Sequence, residues 1–199
     1  MSDALSPQPT TPAKPAGSAA PLASAASGAR IIAVTSGKGG VGKSTIAAAL
    51  ALLFVQKGHK VLALDADPDA NLASALGIPG AQQKSIVPMS RQISLIEERT
   101  GANVRRYSQM FKLNPKVDDI ASQFAFSHKG VSLLVLGTVP AGGNGCACPY
   151  NTFVRALVAD LVLFKNETLI MDMEAGIEHL GRATSSGVDL MAIVVEPGQ

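Results

Sequence analysis

A glycine-rich segment in the first quarter of the chain has the residue types needed to hold a phosphate group. Residues 37–45, GKGGVGKST, fit the pattern of a glycine, four residues, then glycine, lysine and serine or threonine. Lys43 would bring a charge to the β- and γ-phosphates, and Ser44 offers a hydroxyl to Mg²⁺. Glycines let the backbone turn tightly and point N–H groups at an anion. We therefore predict a nucleotide-binding loop made by Gly37, Gly39, Gly40, Val41, Gly42, Lys43, Ser44 and Thr45.

The segments on either side of this loop decide between a phosphate loop and a flexible glycine turn. Residues 31–34 form a compact apolar run, which predicts a buried parallel strand. Residues 46–56 are rich in Ala and Leu and predict a helix, with Gly58 placed to end it. Strand, glycine loop and helix are the context that the motif requires, so we favour the phosphate loop.

Carboxylates follow two further apolar runs. The predicted strand 61–64 is followed by Asp65 and Asp67, and the predicted strand 168–171 is followed by Asp172. The carboxyl ends of parallel strands face the ligand crevice of such sheets. Near a phosphate loop, carboxylates there can hold Mg²⁺ or orient the attacking water. Two alternatives stay open: Asp67 or Asp69 could cap a helix over residues 71–76, and Asp172 could simply end its strand.

The two cysteines of the chain, Cys146 and Cys148, lie one residue apart in a glycine-rich loop over residues 139–150. That spacing closes a strained disulfide ring but suits chelation of one metal ion, and a following helix N-terminus would favour the thiolates. Two ligands satisfy neither Zn²⁺ nor Ni²⁺, and a two-fold symmetric homodimer would supply the second pair. We predict a Ni²⁺ or Zn²⁺ site shared by two copies; buried or redox thiols are the alternative.

The remaining pattern predicts an α/β fold, a parallel sheet flanked by helices. Further strands are expected at residues 131–136 and 190–195, and a helix at 153–164 capped by Asn151 or Thr152. Right-handed crossovers would bring all the strand-to-helix loops to one edge of the sheet.

Residues 77–130 predict short helices and loops. Residues 1–28, rich in Pro and Ala, predict a disordered tail, which leaves residues 29–199 as the folded domain.

Composition excludes several classes of partner. With 47% hydrophobic residues in 199, one sizeable core is available, and a net charge of +2 gives no case for binding nucleic acid. The longest apolar run, residues 46–55, is shorter than the roughly 20 residues that a membrane span needs. Two cysteines and no visible secretory signal fit a reducing compartment. We therefore expect a cytoplasmic protein without a membrane or nucleic-acid partner.

Lys38 is an additional lysine in the glycine loop, beside its first glycine, and it narrows the class of nucleotide-binding protein. The loop resembles the deviant-lysine branch of P-loop ATPases, the relatives of MinD and ParA. This resemblance implies a Mg²⁺-dependent ATPase that forms a nucleotide-sandwich homodimer, in which Lys38 reaches the partner's nucleotide; a solvated loop lysine is the alternative. It also implies that Asp67 positions the attacking water and that Asp65 lies nearer the metal. The segment from Asp172 to Gly176 resembles switch II, in which the glycine senses the γ-phosphate.

A narrower resemblance rests on the cysteine loop and on residues 172–181, DMEAGIEHLG. Together with the glycine loop and residues 65–68, they are similar to the carbon monoxide dehydrogenase accessory ATPases. That family implies ATP-dependent nickel insertion into the Ni–Fe–S cluster of carbon monoxide dehydrogenase, with metal carried between two subunits by the cysteine pairs.

Members of that family continue past the fifth strand with another strand, whose end recognises adenine, and with closing helices. We therefore expect this chain to be C-terminally incomplete and to lack the base-recognition residues. Two alternatives are a positioning ATPase of the MinD or ParA type, and a truncated, non-catalytic module that binds metal.

Overall fold

The computed structural model describes residues 30–104, 106, 108–138, 148–164, 167–174 and 188–197. The predicted tail, Cys146 and Gly176 lie outside these residues.

One sheet runs through the described part of the chain. The strands are β1 (Arg30–Ser36), β2 (Val61–Ala66), β3 (Phe126–His128), β4 (Val131–Val135), β5 (Thr168–Met173) and β6 (Leu190–Val194). Their order in the sheet is β3-β4-β2-β5-β1-β6, and every neighbouring pair is parallel except β3 and β4. The predicted α/β fold with a parallel sheet is confirmed, with one antiparallel edge strand added.

Strand β3 is absent from the sequence-based prediction. It pairs with β4 through a two-residue turn at Lys129 and Gly130, both of which have positive φ angles, 48° and 81°. Positive φ at both central residues is the geometry that matches the twist of a hairpin. A lysine rarely adopts it, so residues 129–130 carry little hairpin signal.

The helices flank the sheet. They are α1 (Lys43–Gln56), α2 (Leu72–Ala75), α3 (Gly80–Gln83), α4 (Ile93–Thr100), α5 (Ile120–Phe124) and α6 (Cys148–Phe164), with a 3₁₀ turn at Met89–Arg91. The prediction that α6 begins at Phe153 behind a cap at Asn151 or Thr152 is wrong. The helix begins at Cys148, because Pro149 in the first turn needs no N–H partner and has its φ preset for a helix. No helix among the described residues is long and apolar enough to cross a membrane.

Two apolar layers lie on opposite faces of the sheet, since successive side chains of a strand alternate. Ile32, Ala63 and Ile170 pack in the layer with α1 and α2. Ile31, Leu62 and Leu169 belong to the layer that contains residues of α4, α5 and α6. Because side chains two residues apart face the same way, the side chains of Asp65 and Asp172 are placed on the α1 face. The sheet thus separates these carboxylates from α6.

Candidate active site

The glycine loop joins β1 to α1 and leaves the start of the helix open. Gly40 and Gly42 have φ angles of 81° and 95°, a region that favours glycine. A Cβ added at Gly37 or Gly39 would meet no atom within 4 Å, so the space beside the loop is empty. Gly42 caps α1 without a side-chain hydrogen bond and no acidic residue lies in the first turn. The first N–H groups of α1 can therefore donate hydrogen bonds to an anion, whose charge the helix dipole also favours.

Lys43 and Asp67 meet at this loop. The Lys43 Nζ lies 3.0 Å from the Asp67 Oδ2, and only 7% and 13% of the two side chains are exposed. The Asp69 N–H donates to the other oxygen of Asp67 at 3.0 Å. Lys38, by contrast, is exposed on the loop. The structure thus brings together Lys43 and Asp67, which are predicted to act in catalysis, and leaves Lys38, the third residue predicted to do so, facing solvent.

Asp65 organises the loop that carries Asp67. Its Oδ2 accepts the Leu72 N–H at 3.0 Å and its Oδ1 accepts the Asp67 N–H at 3.3 Å. Burial raises the pKa of Asp65 to about 7, the Leu72 N–H opposes the rise, and the charge of Asp172 adds to it. The first N–H of α2 is therefore bonded by Asp65, and not by Asp67 or Asp69, the two carboxylates that the sequence offered as alternative caps.

Asp172 stands beside Asp65, because these two residues are direct partners across β2 and β5. Both of its carboxylate oxygens are buried, and neither accepts a hydrogen bond of normal geometry from a described residue. Burial raises the pKa of Asp172, while the nearby Ser44 hydroxyl and then the charge of Lys43 oppose the rise. A buried carboxylate without a donor, next to a hydroxyl at a phosphate loop, fits a Mg²⁺ ion, whose preferred ligands are oxygens.

Cys148 is the first residue of α6 and is exposed. Tyr150, two residues later, is buried, and its hydroxyl lies 3.3 Å from the Leu136 carbonyl and 3.4 Å from that of Gly137, to which it donates. Burial raises the pKa of Tyr150 to about 12, and a hydrogen bond with Ser90 opposes that rise.

No group of three or more His, Cys, Asp or Glu within the described ranges is placed to hold a metal. Sequence reasoning missed Tyr150; its one signal is a tyrosine directly after Cys148 and Pro149.

Comparison with known proteins shows which family of domains this chain belongs to. The family model for the CobQ/CobB/MinD/ParA nucleotide-binding domain matches residues 32–195. This chain belongs to that family. The predicted P-loop fold is therefore confirmed.

Two relatives and one solved structure narrow the comparison. The chain is 51% identical over 167 residues to the carbon monoxide dehydrogenase accessory protein CooC of Rhodospirillum rubrum, covering 84% of this chain and 63% of that protein. It is 49% identical over 166 residues to an ATP-binding protein of Methanocaldococcus jannaschii, covering 83% and 63%. The chain thus spans less than two thirds of either relative.

The solved structure is cobyrinic acid a,c-diamide synthase from Mycobacterium smegmatis with a bound ATP analogue and magnesium. It superposes with a TM-score of 0.52 at 20% identity, covering 84% of this chain and 60% of that one. This likeness confirms the fold. The predicted resemblance to the accessory ATPases is confirmed by the identity to CooC.

Proposed function

We propose that this chain is the ATP-hydrolysing part of a cytoplasmic accessory protein that delivers nickel to the Ni–Fe–S cluster of carbon monoxide dehydrogenase. The observation that carries the proposal is the 51% identity to CooC in a chain whose Lys43, Asp67 and Asp172 converge beside an open glycine loop. In this proposal residues 29–199 form the ATPase domain, preceded by a tail over residues 1–28.

The ion pair between Lys43 and Asp67 suggests how the nucleotide engages the site. The phosphates would lie against the N–H groups at the start of α1 and draw Lys43 toward their charge. Asp67 would then lose its partner and become free to accept a hydrogen bond from the attacking water. Ser44 and Asp172 would hold Mg²⁺, which supplies charge neutralisation on the phosphates when it is bound. Asp65 keeps the Asp67 loop in place through its two backbone hydrogen bonds.

The second half of the proposal concerns two copies of the chain. Lys38 is exposed on the glycine loop, where it can reach the nucleotide of a facing subunit. Cys148 is also exposed, at the start of a helix whose N-terminus stabilises a thiolate. Together with Cys146, the two copies would supply four thiolates to one nickel ion, the cargo, with Zn²⁺ as the alternative occupant. ATP binding and hydrolysis would shift the homodimer between states that hold and release the metal.

The metal content and mass of the purified protein, measured with and without ATP under reducing conditions, test this function. We expect one nickel or zinc per dimer, lost in Cys148→Ser, with nucleotide binding retained in that variant. A protein that is a metal-free monomer in both states would contradict the metal-carrying proposal. A phosphate-release assay on the same samples separates an ATPase from a module that only binds metal.

A further inference from the structure

The segment that follows β4, residues 136–138, contacts β2 and the loop that follows β2 at the nucleotide edge. We call it the β4 exit. The Leu136 N–H donates to the Asp65 carbonyl at 2.9 Å, continuing the pairing of β4 with β2. The Thr138 hydroxyl donates to the Pro68 carbonyl at 3.3 Å. The β4 exit is therefore bonded to β2 just before the loop that carries Asp67, and to Pro68 within that loop.

The same segment is bonded to α6 on the other face of the sheet. Tyr150 donates to the carbonyls of Leu136 and Gly137, and the Ser90 N–H also donates to Leu136, at 2.9 Å. Tyr150 and Cys148 both lie in the first turn of α6, where helical hydrogen bonding fixes their relative positions. Tyr150 thus links the β4 exit to the helical turn that carries Cys148.

Close packing leaves the β4 exit little room to absorb a movement. Gly137 has a φ of 73°, and a Cβ added there would lie 2.5 Å from the Ser90 Oγ and 2.7 Å from the Pro88 Cβ. Packed interiors transmit displacements because they contain few voids. A shift of the Asp67 loop would therefore move the β4 exit and its partners together.

We propose that the β4 exit couples the nucleotide state of the Asp67 loop to Cys148, with Tyr150 as the positioning residue. The sheet lies between the Asp67 loop and α6, so a movement of the loop cannot reach α6 by direct contact. The β4 exit has hydrogen bonds to both the Asp67 loop and α6, and it can therefore connect them. What Cys148 binds rests on the function proposed above. The coupling itself concerns a thiol of this chain and can be measured without metal.

Alkylation of Cys148 by iodoacetamide measures the coupling. Cys146→Ser leaves Cys148 as the single cysteine of the chain. In this background we compare the alkylation rate, from pH 6 to 9, with a non-hydrolysable ATP analogue and Mg²⁺ and without them. We expect the nucleotide to change the alkylation rate by about fivefold or more. Tyr150→Phe should bring that ratio close to 1, and Thr138→Val should reduce it.

Ser122→Ala is the matched control, since the Ser122 hydroxyl also donates to a backbone carbonyl, that of Asp119 at 2.7 Å, in a different part of the chain. It should keep the full nucleotide effect. The inference is overturned if both Tyr150→Phe and Thr138→Val keep the ratio, as simple shielding of Cys148 in a dimer would predict. It is also overturned if the background protein binds the analogue without any change in rate.

Two further measurements separate the inference from its premises. Thr138 is exposed, so Thr138→Val tests the coupling even if Tyr150→Phe impairs folding. Metal binding by the protein with both cysteines is measured in parallel. A protein that shows the nucleotide-dependent thiol rate but binds no metal would contradict the proposed function and leave the coupling standing.

Discussion

The two layers of the molecule are stabilised differently. The α1 layer buries charged groups beside its apolar core: Lys43 at the start of α1, and Asp65 and Asp172 in β2 and β5, are all buried. The α6 layer buries mainly apolar side chains, such as Phe153, Leu157 and Leu161. Its buried Thr100 hydroxyl donates within the layer, to the Ile96 carbonyl.

This difference indicates that the α6 layer stabilises the fold, whereas the charged groups of the α1 layer reduce stability and are suited to binding a ligand. A buried carboxylate without a donor destabilises the folded state by several kcal/mol unless it is neutralised or paired. Asp172 is a buried carboxylate of this kind, and the nearby Ser44 hydroxyl and the charge of Lys43 compensate its burial only in part. Apolar burial contributes about 1.5–3 kcal/mol for each large side chain. We infer that apolar packing around α6 offsets the free-energy cost of burying charged groups at the nucleotide edge.

The largest effect is expected from emptying the α6 layer. Phe153 is fully buried, so Phe153→Ala removes a large apolar contact and leaves a cavity. We expect a loss of about 3–5 kcal/mol in the free energy of unfolding, measured by urea denaturation. Arg155→Ala, at an exposed position of the same helix, should stay within about 0.5 kcal/mol. Equal losses in the two variants would contradict the assignment of stability to this layer.

The next effect isolates the nucleotide edge. Lys43→Ala removes the charge expected at the phosphates, and we expect ATP hydrolysis to fall by about 10²–10³-fold, or about 3–4 kcal/mol in the activation free energy. The measurement is steady-state phosphate release. Lys57→Ala, at the opposite end of α1 and exposed, is the matched control and should keep full turnover. Retained hydrolysis in Lys43→Ala would remove this lysine from the catalytic residues.

The sequence predicts the nucleotide edge better than it predicts α6, for a physical reason. The glycine loop has a fixed spacing, and parallel strands must deliver Asp67 and Asp172 to the same edge. Local rules therefore suffice to place these residues near Lys43. The roles of Asp65 as the cap of α2 and of Tyr150 as an anchor depend on contacts between residues 7 and 14 positions apart. No local spacing rule encodes such contacts.

The errors of the prediction have the same origin. Strand β3 is three residues long and exists because β4 offers it a partner, so its own sequence carries little strand signal. The sequence predicts a start of α6 at Phe153, because Asn151 and Thr152 are residue types that cap helices. Pro149 breaks a helix interior but is favoured in a first turn, and sequence alone does not show which of the two positions it occupies.

The smallest effect concerns the pH dependence of the charged layer. The pKa of Asp65 is raised to about 7 and that of Asp172 is also raised, so between about pH 4 and pH 7 the folded chain binds more protons than the unfolded chain. Stability must then fall as the pH rises through this window, by up to about 1.4 kcal/mol per pH unit for each group. The pKa of Asp119 is lowered by its hydrogen bond with Arg99, so this residue has the opposite effect on stability. Its contribution is present above about pH 4, the ordinary pKa range of an aspartate, and is lost as the pH falls below that range.

Urea denaturation of the nucleotide-free protein at pH 5, 6, 7 and 8 measures this dependence. Asp172→Asn removes one buried charge, so it should flatten the slope and raise stability at pH 8 while weakening Mg²⁺-dependent nucleotide binding. Asp118→Asn, at an exposed position, should leave the slope unchanged. A wild-type stability that rises from pH 5 to pH 8 would show that these carboxyls are ionised without penalty. The contrast between the two layers would then rest on packing alone.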